Sequence, residues 1–291
     1  MENPLWRPRP DFEALRPERS LAAIFEGLWV TGELDGLRRP TIAIVGTRAA
    51  SAYGRATAKH FASELGGAGC CIISGLALGI DAAAHEGALD AKAITIGVLG
   101  GGHHHFFPKR NQQLAERMLA AGGGVLSPFP PDHPAFPSQF LQRNGVVAAL
   151  ADAVVVIEAP ARSGALNTAG WAAGRIPVFA VPGDVDRRHV AGCHALIRDG
   201  VTLARNAQDV LDDLHLVKLP LAPLPQCAEP DNPLQAKILR ILKAGETTLD
   251  ELCLQSGENA APLLSALSIL ELEGRIESRA GLRYAIASAG K

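Results

Sequence analysis

Arg48 is the first residue whose type and position suggest binding chemistry. It lies in TIAIVGTRAASAYG (residues 41–54), where an apolar run ends in Gly46-Thr47-Arg48 and a helical pattern begins after small residues. Nucleotide-binding folds place a phosphate at such a junction, because the first N–H groups of a helix lack partners within the helix. The fingerprint G-x-G-x-x-G and the P-loop lysine are both absent, and Arg48 stands where these loops usually carry a glycine. The junction therefore predicts a phosphate site that includes a cation.

Four further segments share this small and polar character: SGLALGID (74–81), LGGGHHHFFPKRN (99–111), FPSQFLQRN (136–144) and EAPARSGALNTAG (158–170). A single glycine-rich loop often serves only to form a tight turn, and a single surface arginine is usually just solvated. Several such loops at one end of a sheet instead favour a shared anionic ligand. The nearby phenylalanines fit either core packing or the stacking of a base. The residues predicted to contact the ligand are Gly46, Thr47, Arg48, Ser74, Gly75, Lys109, Phe140, Arg143, Asn144, Arg162, Ser163 and Gly164.

Catalytic and metal-binding patterns are missing from the sequence. The consecutive histidines His103–His105 point in different directions, and no second cluster supplies further ligands at a recognisable spacing. Asp81 fits an N-cap or an orienting carboxylate. The five cysteines form no C-x-x-C pair, which indicates reduced thiols in a cytoplasmic protein rather than a zinc site. We expect no metal, no cofactor and no catalytic residue.

The elements that would position these residues alternate along the chain. Short apolar runs (TIAIV, CII, AITIGV, VVVIEA, PVFAV and VTL) are separated by Ala-rich helical patterns, for example at residues 55–65, 81–89 and 111–121. Strands that alternate with helices require a parallel sheet covered on both faces. The sequence therefore predicts an α/β, Rossmann-like, doubly wound and mostly parallel sheet, with its ligand beyond the carboxyl ends of the strands.

Four segments are expected along the chain. Residues 1–40 are rich in proline and charge and suggest an irregular lead-in with at most one short helix. Residues 41–216 carry the Rossmann-like pattern, and residues 217–232 (VKLPLAPLPQCAEPDN) form a proline-rich linker. Residues 233–291 show three helical patterns and an alternating tail, which is typical of a winged-helix domain.

The 291-residue chain has a net charge of −2, but the charge is unevenly distributed. Residues 41–205 contain 14 Lys and Arg against 11 Asp and Glu, whereas residues 206–291 contain 8 against 12. The basic side chains therefore concentrate in the α/β segment, many of them beside glycines. The apolar stretches are too short and too often interrupted for a signal peptide or a membrane span.

Six motifs in order make the sequence resemble one known family. They are VGTRAASAYG, SGLALGIDAAAHEGAL, ITIGVLGGG…FPKRN, FLQRN, VVVIEAPARSGALNTA and VFAVPG, within residues 41–200. They resemble the DNA-processing protein A (DprA/Smf) family. The resemblance implies an extended Rossmann domain that binds and protects incoming single-stranded DNA, forms homodimers and loads the recombinase RecA during natural transformation. It also implies that Arg48 grips the DNA backbone and that Lys109, Arg143 and Asn144 line the same positive pocket.

The sequence departs from the family pattern in three places. The lead-in is too short for the helical, sterile-alpha-motif-like domain that often precedes the Rossmann domain. The R-N-R triplet reads Arg143-Asn144-Gly145, with one cation fewer. The S-E-x-P motif reads SPFP at residues 127–130, without its acid. The second departure predicts somewhat weaker DNA binding.

Two alternative functions fit less well. A nucleotide-processing enzyme of the phosphoribohydrolase type would need a carboxylate in PARSGALNTAGWAAG (residues 160–174), which has none. A duplex-DNA-binding regulator would read bases with the third helix of the winged-helix domain, but NAAPLLSALSILELEG has no Lys or Arg. Arg275, Arg279 and Arg283 in the wing could still touch a DNA backbone. We therefore expect a non-enzymatic, single-strand-binding homodimer that works with RecA away from the membrane, with its interface near residues 181–205.

Overall fold

The computed structural model describes residues 4–17, 24–216, 232–242, 247–272, 276–279 and 283–286. The chain forms two compact units, Met1–Leu221 and Ala222–Lys291, each with its own apolar core. Most of the predicted linker lies outside the described residues. No helix in the described ranges is long and apolar enough to cross a membrane.

The first unit is built on a nine-stranded sheet. Its strands are β1 (Leu5–Pro8), β2 (Gly27–Gly32), β3 (Thr41–Val45), β4 (Cys71–Ser74), β5 (Thr95–Val98), β6 (Gly124–Ser127), β7 (Ala153–Val156), β8 (Val178–Ala180) and β9 (Thr202–Leu203). Its helices are α1 (Arg9–Leu15), α2 (Ala52–Gly67), α3 (Ile80–Asp90), α4 (Gln112–Ala120), α5 (Pro137–Leu150), α6 (Gly164–Ala172), α7 (Ala191–Arg198) and α8 (Ala207–Asp213). Short 3-10 turns lie at Asp35–Arg38, His103–His105, Lys109–Asn111 and Arg188–Val190.

The strand order confirms the predicted doubly wound, mostly parallel sheet. The order is β1-β2-β6-β5-β4-β3-β7-β8-β9, and the strands from β3 to β9 are parallel to their neighbours within that group. The chain winds outward in one direction from β3 and in the other from β7. These two strands therefore form the topological switch point, beyond whose carboxyl ends such sheets bind ligands.

Both faces of the sheet are buried, because successive residues of a strand point to opposite faces. In β3, Ile42 and Ile44 belong to one apolar cluster, whereas Ala43 and Val45 belong to the other. Side chains of α2, α3 and α8 complete the first cluster, and side chains of α5, α6 and α7 complete the second. This double burial explains why the central strands read as continuous apolar runs rather than as alternating ones.

The lead-in is not the irregular segment that the sequence suggested. β1 and β2 extend the sheet through antiparallel pairing of β2 with β6, and Leu28 and Val30 of β2 are buried. The buried Arg16 donates to the carbonyl of Leu37 (2.9 Å) and pairs with Asp152, which ties this segment to the sheet. The stretch GLWVTG holds only three consecutive apolar residues between glycines, too short a run to stand out as a strand.

Two further elements differ from the prediction. β6 (GVLS) lies between glycines and a proline, so the sequence showed a loop where the structure has a buried strand. α5 already begins at Pro137, a residue suited to the first helical position. Phe140, Arg143 and Asn144 therefore lie within a helix, not in a loop before it, and their spacing places them on one side of that helix.

The second unit is a winged helix, as predicted. It contains α9 (Pro233–Leu242), β10 (Thr247–Thr248), α10 (Leu249–Ser256), α11 (Ala260–Leu272), β11 (Ile276–Arg279) and β12 (Arg283–Ile286). The three strands form a small sheet in the order β10-β12-β11, and both strand pairs are antiparallel. Of the wing cations, Arg283 lies exposed on β12, whereas Arg275 lies outside the described residues.

Candidate functional site

A cleft of about 400 Å³ opens beyond the carboxyl ends of β3 and β7, at the predicted switch point. We call it the central cleft. It is formed by the loops after β3, β4 and β7 and by α5. Of the twelve predicted ligand residues, it brings ten together: Gly46, Thr47, Arg48, Gly75, Phe140, Arg143, Asn144, Arg162, Ser163 and Gly164.

Arg48 is an exposed cation of the central cleft. Its guanidinium carbon lies 4.8 Å from the ring centroid of Phe140, the geometry of a cation–π contact. No carboxylate among the described residues lies within ion-pair distance of Arg48. The aromatic ring thus orients the guanidinium without neutralising it, and its N–H donors remain available to an anion.

Arg143 has a different environment, although it lines the same cleft. It is buried, and its guanidinium donates to the carbonyls of Gly75 and Val98. Burial lowers the pKa of Arg143 to about 10, so the side chain remains charged at neutral pH. Arg143 was expected to contact a ligand directly, but its guanidinium is buried and donates to these two backbone carbonyls instead. Arg143 adds positive potential below the cleft and holds the loop after β4.

Asp81 is the acidic counterpart of Arg143. Its carboxylate accepts hydrogen bonds from the N–H groups of Gly75 (3.1 Å) and Ala77 (3.3 Å). Burial raises the pKa of the Asp81 carboxyl, and the nearby Arg143 opposes that rise. Of its two predicted roles, the structure selects the orienting carboxylate, since the residue that caps α3 is Gly79.

The N-terminus of α2 already holds an anion, namely the carboxylate of Glu158. This side chain accepts from the N–H (2.9 Å) and the hydroxyl (2.5 Å) of Ser51, and the Glu158 carbonyl accepts from the N–H of Thr47 (2.7 Å). A Cβ at Gly54 would lie 2.2 Å from the Glu158 carboxyl carbon, so only glycine leaves room for it. The expected phosphate site at this junction stays a prediction: the Glu158 carboxylate occupies the Ser51 N–H, whereas Arg48 in the preceding loop remains exposed. The only sequence signal for Glu158 was a carboxylate that ends the run VVVIE.

The start of α6 lines the central cleft with Ser163, Gly164 and Ala165. Ser163 caps this helix, and Arg162 lies exposed beside it. The Asn144 side chain donates to the Gly164 carbonyl (3.1 Å) and accepts from Nε of Arg143 (3.2 Å). Asn144 thereby links α5 to α6 and fixes the distance between the Arg48–Phe140 side and the Arg162 side of the cleft.

Ser74 and Lys109 lie apart from the other predicted residues. The Ser74 hydroxyl is buried in β4 and donates to the carbonyl of Ile44 (2.6 Å), so it faces no ligand. Lys109 lines a second groove of about 740 Å³, together with His103–His105 and Phe107. The rings of Phe107 and Phe140 lie 5.9 Å apart and connect this groove to the central cleft.

The histidines of the second groove do not form a metal site. His103 is buried against the Val125 carbonyl (3.1 Å), and His104 pairs with Asp132 (2.8 Å). Burial lowers the pKa of His103, which keeps this imidazole neutral. Within the described ranges, no three His, Cys, Asp or Glu side chains are grouped so that they could hold a metal ion.

Comparison with known proteins agrees with this architecture. The family model for DNA recombination-mediator protein A matches residues 19–215, and that for the DprA winged helix domain matches residues 222–281. Protein Smf of Escherichia coli is 35% identical over 280 residues, which cover 93% of this chain and 75% of that protein. The DNA processing protein DprA of Streptococcus pneumoniae is 40% identical over 190 residues, 65% of this chain and 66% of that protein.

Two solved structures have the same fold. The X-ray structure of DNA processing protein A from Streptococcus pneumoniae matches with a TM-score of 0.61 and 38% identity, over 65% of this chain and 66% of that one. DNA processing protein A from Helicobacter pylori, whose structure describes a single-stranded DNA binding mode, matches with a TM-score of 0.59 and 30% identity, over 65% of this chain and 86% of that one. The chain thus belongs to the DNA recombination-mediator protein A family, together with the DprA and Smf proteins.

Proposed function

We propose that this chain binds single-stranded DNA in the central cleft. The observation that carries the proposal is Arg48, an exposed cation oriented by Phe140 at the switch point of the sheet. Arg162 and the start of α6 face it across the cleft, so phosphates can be held from both sides. The Helicobacter pylori relative, described as binding single-stranded DNA, supports the same ligand here.

The proposal includes no catalytic step. Asp81 is the carboxylate of the cleft lining, and its oxygens accept from two backbone N–H groups. A general acid or base has to reach a proton of the substrate, and Asp81 is buried beneath the loop that it orients. Distributed cations, N–H donors and an aromatic ring instead suit a polymer that is held without being cleaved.

The Arg48→Ala variant tests the proposed ligand. We expect at least about tenfold weaker binding of an oligothymidylate, because a phosphate contact and its counterion release are both lost. Fluorescence anisotropy at several salt concentrations measures this, and the variant should show a shallower dependence on salt. Arg117→Ala, an exposed cation on α4 away from the cleft, is the matched control. Equal affinities of Arg48→Ala and the wild type would refute the site.

We further propose that the protein works in the cytoplasm as a homodimer that protects incoming DNA and delivers it to RecA during natural transformation. Family membership supports this role. The exposed β9 edge, with Leu203, and the nearly fully exposed Val185 support an interface within residues 181–205. Sedimentation velocity of a Leu203→Glu variant tests the dimer, and the rate of RecA nucleation on protein-coated DNA tests delivery. A Leu203→Glu variant that is still a dimer would contradict the proposed interface. RecA nucleation no faster than on bare DNA would contradict the proposed delivery.

A further inference from the structure

Trp171 has an unusual position for so large an aromatic residue. It lies on α6 with 36% of its surface exposed, beside a groove of about 490 Å³ next to the central cleft. The groove is lined by Leu166, Asn167, Gly170, Trp171, Ala173 and Arg175. Exposed tryptophans are characteristic of binding surfaces, because a rigid ring offers a large contact area at little entropic cost.

Gly145 holds the Trp171 ring in place. A Cβ at position 145 of α5 would lie 3.1 to 3.5 Å from three atoms of the indole, so the ring packs directly against this glycine. A larger residue there would push the indole away from α5. The contact fixes the ring while more than a third of the residue stays in solvent, which is the arrangement that a stacking surface requires.

Trp171 lies on a continuous ridge that begins in the central cleft. Ser163, Asn167, Trp171 and Arg175 follow one another at intervals of four residues, so the helical members lie on one side of α6. Ser163 lines the cleft, and the side-chain amide of Asn144 donates to the Gly164 carbonyl (3.1 Å) and to Oδ1 of Asn167 (3.4 Å). From Ser163 to Trp171 the helix rises about 12 Å, the length of roughly three to four stacked nucleotides.

The charge of the ridge suits the same ligand as the cleft. Arg162 at one end and Arg175 at the other are exposed, and neither forms an ion pair with a carboxylate in the part of the chain that the structure describes. An aromatic ring between two cations is the combination that holds a base by stacking and the flanking phosphates by charge.

We propose that Trp171 is a stacking platform for a base of the single strand that leaves the central cleft, with Arg175 contacting a neighbouring phosphate. This subsite rests on the proposed binding of single-stranded DNA and extends it along α6. It adds a contact that a short oligonucleotide confined to the cleft cannot reach.

The test compares two oligothymidylates, one that just fills the central cleft and one longer by about four nucleotides. We expect Trp171→Leu to weaken binding of the longer one at least about fivefold, the loss expected for one stacked base, and to leave the shorter one unchanged. Trp171→Phe should keep most of the affinity, because it keeps an aromatic face. Leucine still packs against Gly145, so a purely structural role of the indole would show no such dependence on length. Trp6→Leu, on the sheet-edge strand β1, is the control.

A second readout is the fluorescence of Trp171 itself. The chain has three tryptophans, so replacing Trp6 and Trp29 by phenylalanine leaves Trp171 as the reporter. We expect saturable quenching by the longer oligothymidylate and little by the shorter one.

Full affinity of Trp171→Leu for both lengths, combined with lost binding in Arg48→Ala, would overturn the subsite and leave the cleft assignment intact. Unchanged binding in both variants would overturn the cleft as well. A Trp171→Leu variant with a lower mass in sedimentation and unchanged affinity would assign the ridge to contact with a second copy.

Discussion

Two arginines of the central cleft show how burial decides the role of a residue. Arg48 is exposed and lies over the ring of Phe140, so its charge and its donors remain available. Arg143 is buried, and it donates to two carbonyls beside the carboxylate of Asp81. The sequence identified both as ligand-binding cations, because it shows the residue type and not the exposed fraction.

This difference predicts opposite effects of the two alanine variants on stability. Arg143→Ala leaves the carbonyls of Gly75 and Val98 without their donor in a buried site, which should lower the free energy of unfolding by about 1–3 kcal/mol for each carbonyl. Arg48→Ala removes an exposed side chain and should change it by about 0.5 kcal/mol or less. Urea unfolding measures both. Arg143→Lys keeps the charge but cannot reproduce the two carbonyl contacts, so we expect an intermediate loss. Equal stabilities of the two alanine variants would contradict the assigned roles.

At the scale of elements, the Glu158 carboxylate joins β7 to the start of α2. The carboxylate accepts from the N–H and the hydroxyl of Ser51, and the backbone carbonyl of Glu158 accepts from the N–H of Thr47, the residue before Arg48. Strand β7, the loop after β3 and helix α2 therefore act as one support for the cationic side chain. Gly54 permits this arrangement, because any Cβ at that position would overlap the carboxylate.

The Glu158→Ala variant should lose both stability and DNA affinity. Removal of the carboxylate leaves the two partly buried Ser51 donors without this acceptor, at a cost of about 1–3 kcal/mol. Because the vacated volume fits a small anion, formate should restore part of the melting temperature and of the affinity, whereas the same concentration of chloride should restore less. Glu116→Ala, on the exposed side of α4, is the control. The absence of any formate-specific recovery would contradict an anion site at this helix end.

The sequence predicted those elements whose patterns are local. The Ala-rich helices and the apolar runs of β3, β4, β5, β7 and β8 follow from periodicity, and ten of the twelve candidate residues do line one cleft. β2 and β6 were missed because each is a short run that begins or ends at glycines, which the sequence alone does not distinguish from a loop. Glu158 was missed for a different reason, since its carboxylate acts on Ser51, 107 residues away. Trp171 against Gly145 is likewise a contact between helices that no spacing reveals.

At the scale of the whole molecule, the winged helix adds a second compact unit with its own core. Leu264 and Ile269 of α11 and Leu254 of α10 are exposed. Among the residues of α11 there is no Lys or Arg, and Glu271 is its charged residue. An apolar and acidic surface does not favour phosphate binding, so we propose that this helix contacts protein rather than reads duplex DNA.

Removal of residues 232–291 should therefore leave binding of single-stranded DNA largely intact. We expect the dissociation constant of an oligothymidylate to change by no more than about threefold, or about 0.65 kcal/mol, because the central cleft lies wholly in the first unit. Fluorescence anisotropy of the truncated and full-length chains at one salt concentration measures it. Complete loss of binding on truncation, in a variant that still unfolds cooperatively, would show that the winged helix carries part of the DNA site.

The internal carboxylate of Glu158 also affects how free nucleotides can compete for this helix end. ATP and other free nucleotides are abundant competitors for any helix N-terminus that is open to phosphate. Here such a competitor would have to displace an anion that is covalently tethered and buried, and therefore present at a high effective concentration. The tethered carboxylate therefore excludes free nucleotides from the start of α2, and leaves Arg48 and the start of α6 as the parts of the central cleft that are open to a phosphate.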